Sequence, residues 1–137
     1  MLMVIDIGNT NITVGIYKGD KLIGNYRLTT KMKRTSDEYG FMIMNFLTSS
    51  KVSYDQIKDV IISSVVPKIM HSFLNGIRKY MHKEPIVVGP GIKTGISVKA
   101  ENPKAVGSDR IVDAAGAFYE YGGPCLVVDF GTMTTFD

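Results

Sequence analysis

Cysteine is nearly absent from this chain: Cys125 is the single one among 137 residues. A lone thiol excludes a disulfide framework and any zinc site built on paired cysteines. Placed between Gly122-Gly123-Pro124 and an apolar run, it reads as a buried thiol in a strand. Histidine is scarce too. The two present, His71 and His82, are too few and too far apart for a His-rich metal site. Neither sign of charge dominates. Sixteen basic and thirteen acidic residues leave a net charge of +3. No block of Lys and Arg carries interleaved aromatics, which argues against a nucleic-acid partner. Long apolar runs are also missing, since Asp6 interrupts the apolar start at once. No signal peptide or membrane span is expected, and a soluble cytoplasmic protein is. What remains is a chain that is 45% hydrophobic, enough to bury a core as one domain.

Against that background one feature stands out. A short acidic signature occurs twice, as V-I-D-I-G-N-T-N-I-T from Val4 to Thr13 and as V-V-D-F-G-T-M-T-T-F from Val127 to Phe136. In both, an apolar strand runs into Asp-x-Gly and then a small polar turn. The strand delivers Asp6 or Asp129 to its end. The glycine permits close approach of the backbone to an anion. Hydroxyl and amide side chains, with turn N–H groups, can then hold phosphate oxygens. A single copy is ordinary turn chemistry. Two copies point to a duplicated unit, and two such loops facing each other would make a nucleotide clamp.

The rest of the chain predicts an α/β domain. Leu2–Ile7, Ile12–Tyr17 and Leu22–Leu28 read as strands, joined by turns at Gly8–Asn11 and Lys18–Lys21. Thr35-Ser-Asp-Glu38 has capping-box spacing before an apolar helical pattern containing Phe41, Ile43, Phe46 and Leu47. Met42 and Met44 on that helix read as core packing. Val60–Val66 is an apolar run ended by Pro67, as in a strand buried on both faces. Ile69, Met70, Phe73, Leu74, Ile77, Tyr80 and Met81 then recur at helical spacing. Ile86–Val88 reads as a short strand and Gly89–Gly95 as a loop. Ser108–Tyr121 reads as a helix stopped by Gly122-Gly123-Pro124. Leu126–Asp129 begins the second repeat.

Just before the third helix stands Val106-Gly-Ser-Asp-Arg110. One reading is structural, with Ser108 or Asp109 as the helix cap. The other is chemical. Asp109 could accept a proton from a substrate hydroxyl, and Arg110 could hold an anionic group or a transferring phosphoryl group.

The order β-β-β-α-β-α-β-α resembles an actin-like (ribonuclease H-like) nucleotide-binding lobe, with three leading antiparallel strands and a mixed sheet. Residues 1–124 would form that lobe. Residues 125–137 would begin a second lobe of the duplicated fold, whose remainder is absent. Five motifs sharpen the resemblance: D-I-G-N-T-N at 6–11, S-S-V-V-P at 63–67, V-G-P-G-I-K-T-G at 88–95, N-P-x-x-V-G-S-D-R at 102–110 and D-F-G-T-M-T-T at 129–135. In this order they are similar to those of type III pantothenate kinases, which phosphorylate pantothenate with ATP in coenzyme A biosynthesis. The resemblance covers the whole chain and implies the N-terminal half of such an enzyme.

The resemblance also implies roles. Asp6, Ile7, Gly8, Asn9, Thr10, Asn11, Ile12 and Thr13 would form the first phosphate loop, with Asp6 near the Mg2+ of ATP. Gly107, Ser108, Asp109 and Arg110 would contact pantothenate, and Asp109 would be the general base. Asp129 would bind a monovalent cation, K+ or NH4+, and Thr132 would contact ATP. A homodimer is implied, with no nucleic acid or membrane partner. The 88–95 run lacks the G-K-[ST] ending of a P-loop in the right frame and reads as a structural loop near the substrate mouth.

Three positions depart from the family pattern. Ser108 and Met133 each stand where Ala is usual, and Met133 could crowd the second phosphate turn. Ala100 stands where a Tyr often lines the pantothenate pocket, which bears on substrate affinity more than on chemistry. A nucleotide-binding regulatory or accessory module of the same fold is the alternative reading. It would keep Asp6 and Asp129 but would not need Asp109 and Arg110. A sugar kinase of the same superfamily fits the G-S-D-R context less well.

Overall fold

The first strand, β1 (Leu2–Ile7), alternates buried Met3, Ile5 and Ile7 with Leu2, Val4 and Asp6 on its other face. That period of two is what a strand covered on one side requires. A computed structural model describes residues 1–30, 33–89 and 92–137. The chain divides into two compact units, Met1–Val87 and Val88–Asp137.

In the first unit, β1 pairs antiparallel with β2 (Asn11–Lys18), and β2 pairs antiparallel with β3 (Lys21–Thr29). β4 (Asp59–Ser64) lies parallel to the other edge of β1, followed by the short parallel β5 (Ile86–Val87). The sheet order is therefore β3-β2-β1-β4-β5. This is the mixed five-stranded sheet that the sequence predicts, and it agrees with an actin-like kinase N-terminal lobe. β4 stops at Ser64, two residues short of the expected Val66. The Ser64 hydroxyl accepts the Val66 N–H at 3.1 Å, and the Val65 N–H donates to the Ile7 carbonyl at 3.0 Å. Pro67 then opens a helix at its first position, where its missing N–H costs nothing.

Two helices cover one face of this sheet. α1 (Ser36–Ser49) starts from the expected capping box. The Glu38 N–H donates to Thr35 Oγ1 at 3.2 Å, and the Thr35 N–H donates to Glu38 Oε2 at 2.7 Å. α2 (Pro67–Met81) buries Phe73, Gly76, Ile77 and Met81, one stripe at helical spacing. These residues join Ile43 and Leu47 of α1 against Met3, Ile5, Ile12, Val14, Ile16, Val60 and Ile62 of the sheet. Each such side chain contributes roughly 1.5–3 kcal/mol when fully buried. Met44 packs on this cluster, as its position in the helix suggests.

The helices meet through glycines. A Cβ at Gly40 would stand 2.0 Å from the Tyr80 ring, and one at Gly76 would stand 2.7 Å from the Ser36 carbonyl oxygen. Polar links reinforce the pair: Lys79 Nζ and the Tyr80 hydroxyl each reach Asp37 Oδ1 at 2.8 Å. A single 3-10 turn at Tyr54–Gln56, unpredicted by periodicity, leads into β4.

The second unit holds α3 (Ser108–Tyr121), matching the sequence expectation, and a hairpin of β6 (Val128–Phe130) with β7 (Thr134–Phe136). A second 3-10 turn, Pro103–Ala105, precedes α3. Within the loop read at Gly89–Gly95, Pro90 and Gly91 lie outside the described residues. The Ile92 N–H donates to the Gly89 carbonyl at 3.1 Å. Cys125 corrects the sequence reading. It is exposed and precedes β6 rather than lying in a buried strand. Among the described residues β6 pairs with β7 alone, and Leu126, Phe130, Met133 and Phe136 of this segment are between 63% and 83% exposed. A two-stranded ribbon offers no second layer to bury a thiol. No helix among the described residues is long and apolar enough to cross a membrane.

Candidate active site

In the first unit the candidate site grows from the end of β1. Asp6 stands opposite Thr13 in the antiparallel register and opposite Ser63 in the parallel one. Ile5 and Ile7 on either side of it point into the core, so Asp6, Thr13 and Ser63 form a row on the sheet face away from the helices. Asp6 is exposed, Thr13 half-buried, and Ser63 only 5% exposed. A carboxylate and two hydroxyls thus lie side by side across three strands.

Beyond Asp6 the chain turns sharply. The Gly8 N–H donates to the Asn11 carbonyl at 2.9 Å. A Cβ at Gly8 would lie 3.2 Å from that same oxygen, so the tight turn favours a residue without a side chain. Asn9, Thr10 and Asn11 are exposed at its tip, while Ile7 and Ile12 are buried beneath it. The loop residues therefore divide into two groups. The two isoleucines anchor it, and the polar ones face outward.

Thr30 was not singled out by sequence reasoning. Its hydroxyl donates to the Gly8 carbonyl at 2.8 Å, and its N–H donates to the Thr10 carbonyl at 3.0 Å. No local motif marks it, because its partners lie some twenty residues earlier in the chain.

In the second unit, Gly107 is the N-cap of α3 and provides no side-chain cap. Neither Ser108 nor Asp109 takes that place, which corrects the structural reading of the motif. Asp109 lies in the first turn instead, where an acid is favoured by the helix dipole. Its Oδ1 accepts the N–H of Arg110 at 2.8 Å. Ser108 is 9% exposed, and Asp109 and Arg110 are half-buried.

Arg110 is engaged in this unit. Its Nε donates to Asp137 Oδ1 at 2.5 Å and its Nη2 to the Phe136 carbonyl at 3.2 Å. The Asp137 carboxylate holds the Arg110 guanidinium above its usual pKa, mainly through that hydrogen bond. Asp137 itself is bonded to Val127 in both directions, at 2.7 and 2.9 Å. The start of α3 is thereby tied to the β6–β7 hairpin. Asp137 is a second residue that the sequence did not point to, since nothing in a terminal Phe-Asp pair announces an arginine partner.

Asp129 stands on β6 opposite Thr135. Its carboxylate bends over the turn, so that a Cβ at Gly131 would lie 3.2 Å from Asp129 Oδ2. Thr132 and Met133 form the exposed tip. Met133 is 75% exposed, so within this unit its bulk does not crowd the turn as expected. Ala100 is exposed in a segment without regular structure.

Among the described residues, no three His, Cys, Asp or Glu side chains cluster as a metal site. Mg2+ does not need such a cage. It commonly uses one or two carboxylates, several waters and the substrate's own phosphate oxygens. The exposed Asp6 carboxylate with its neighbouring hydroxyls fits that mode. Asp129 offers one carboxylate over its turn, a hard-oxygen donor.

Comparison with known proteins completes the description. The family model described as type III pantothenate kinase matches residues 2–137. The type III pantothenate kinase of Bifidobacterium longum subsp. infantis is 56% identical over 137 residues, covering 100% of this chain and 54% of the relative. That of Bifidobacterium adolescentis is 55% identical, with 100% and 54% coverage. That of Agathobacter rectalis is 54% identical, with 100% and 53% coverage. The chain spans about half the length of the curated relatives it matches.

Proposed function

This chain belongs to the type III pantothenate kinase family, and on that premise we propose that, at full family length, it transfers the γ-phosphoryl group of ATP to pantothenate. The product would be 4′-phosphopantothenate, an early intermediate of coenzyme A biosynthesis. The observation that carries the proposal is the Asp6 row: a strand-end carboxylate flanked by Thr13 and Ser63, opening into the Gly8–Asn11 turn.

Each residue then has a task. The Asp6–Thr13 segment holds phosphate oxygens through its turn N–H groups and its hydroxyl and amide side chains. Asp6 would hold the Mg2+ that accompanies ATP. That ion supplies charge neutralisation at the phosphates. Gly107 to Arg110 bind pantothenate. The Asp109 carboxylate takes the proton of the primary hydroxyl as its oxygen bonds to the γ-phosphorus. The bond from that phosphorus to the bridging oxygen breaks, and ADP departs with the electron pair. Such transfers ask the protein mainly for positioning and charge stabilisation. Asp129 would hold a monovalent cation, K+ or NH4+, and Thr132 would touch the nucleotide.

The proposal extends to architecture. Residues 1–124 make the first actin-like lobe, and residues 125–137 begin a second, duplicated one. The exposed apolar residues Leu126, Phe130 and Phe136 support this, since a hairpin with an open apolar face calls for a covering layer. A homodimer and a cytoplasmic location follow from the family resemblance.

The test is direct. Full-length protein is incubated with MgATP and pantothenate, and both ADP release and phosphorylated pantothenate are measured. Pantothenate-dependent release, absent with a hexose in its place, is expected. ATP binding without any turnover would instead favour a nucleotide-binding regulatory module.

A further inference from the structure

Thr30 follows directly after β3 and is 5% exposed. It belongs to neither copy of the Asp-x-Gly signature, yet it makes two bonds to the first. Its hydroxyl donates to the Gly8 carbonyl at 2.8 Å, and its own N–H donates to the Thr10 carbonyl at 3.0 Å. Both acceptors are backbone oxygens of the loop after Asp6.

We propose that Thr30 is a positioning residue, which sets the direction of the loop's N–H groups toward the nucleotide phosphates. A trans peptide is planar, and its C=O and following N–H point in opposite directions. Fixing the Gly8 carbonyl therefore fixes the Asn9 N–H. Fixing the Thr10 carbonyl fixes the Asn11 N–H. Two alternate amides of one short turn are aimed by a single buried side chain and its backbone. N–H groups aimed outward from a turn can line an anion-binding concavity.

The choice of residue follows from the two bonds. Valine has the same shape and retains the backbone N–H but cannot donate from its side chain. Serine retains the hydroxyl and loses only the methyl. Arg34 supports the same corner, because its guanidinium donates to the Thr29 carbonyl at 2.6 Å. The end of β3 is thus held at Thr29 as well as at Thr30. A loop with a free Gly8 carbonyl could rotate that peptide and turn the Asn9 N–H away from the ligand.

The inference rests on the reading that this loop holds phosphate, and its test keeps the two apart. Thr30→Val and Thr30→Ser are made in the full-length protein. Three quantities are measured: affinity for MgATP, KM for pantothenate, and backbone amide exchange at Gly8 and at residue 30, whose N–H groups hold the turn closed. Thr30→Val should weaken MgATP binding on the order of 10-fold, the effect of one buried hydrogen bond, and speed exchange at Gly8. The pantothenate KM should stay at its wild-type value. Thr30→Ser should restore both nucleotide affinity and amide protection. Should Thr30→Val fail to fold, Thr30→Ala with the serine variant as reference makes the same comparison. A lower melting temperature with unchanged MgATP affinity would overturn the proposal and leave Thr30 as a packing residue. If the wild-type protein bound no MgATP, the kinase reading would fall, and the exchange measurement would still judge the loop. Unaltered exchange at Gly8 in Thr30→Val overturns the positioning role in either case.

Discussion

Asp6 of β1 and Ser63 of β4 face each other in the parallel register, a strand-end carboxylate beside a hydroxyl that is 5% exposed. A parallel pair of this kind brings together residues 57 positions apart, counted from 6 to 63. The crossover through α1 makes that possible. The first prediction concerns this carboxylate. Asp6→Asn removes a charge and retains the shape. MgATP affinity should fall about 10- to 100-fold, as expected for charge-assisted interactions of about 1.5–3 kcal/mol. The melting temperature should hardly move, since Asp6 is exposed. Titration calorimetry beside a melting curve checks both.

The second prediction concerns the crossing of α1 and α2. Gly76→Ala would place a methyl group 2.7 Å from the Ser36 carbonyl oxygen and 3.1 Å from the Gly40 nitrogen. Alanine gains roughly 1 kcal/mol of helix propensity over glycine. Overpacking against backbone costs about 1–3 kcal/mol, and backbone atoms yield less readily than side chains. A net loss of stability is therefore expected, read as a lower urea midpoint with an unchanged slope.

The third prediction concerns acid. Lys79 and Tyr80 hold Asp37 below its usual pKa through hydrogen bonds, and the Thr35 backbone holds Glu38 down in the same way. Because both values are depressed on folding, their stabilisation is complete above the unfolded carboxylate range, near roughly pH 4. It is lost as the pH falls through the lower folded values. Melting temperatures should therefore fall on that acid limb. In the Asp37→Asn, Glu38→Gln double variant the fall should be shallower, and the melting temperature at neutral pH lower.

Much of the fold was legible because its signals are local. The apolar start of β1 and the Gly122-Gly123-Pro124 stop after α3 go with elements whose expected bounds, Leu2–Ile7 and Ser108–Tyr121, match to the residue. The Thr35–Glu38 box and Pro67 marked the starts of α1 and α2. The lost features are long-range contacts or depend on burial that a local pattern does not decide. Thr30 meets carbonyls at Gly8 and Thr10, and Arg110 meets Asp137 across the hairpin. No spacing rule foretells either contact. Cys125 misled because an apolar run implies burial only where another layer exists to cover it. Gly107 capped α3 in place of Ser108 or Asp109 because the cap is decided by backbone position, which two adjacent polar candidates leave open.

The measurement closest to the centre of the account is turnover by Asp109→Asn in the full-length protein. Asparagine retains the size of the side chain and can still accept the Arg110 N–H that Asp109 now takes at 2.8 Å. It cannot take a proton from the pantothenate hydroxyl. With Asp109 as the base, pantothenate-dependent ADP release should fall about 10²- to 10⁴-fold, while MgATP affinity and melting temperature stay near wild type. Turnover close to wild type would contradict the assignment and reduce Gly107–Arg110 to a binding element at the start of α3.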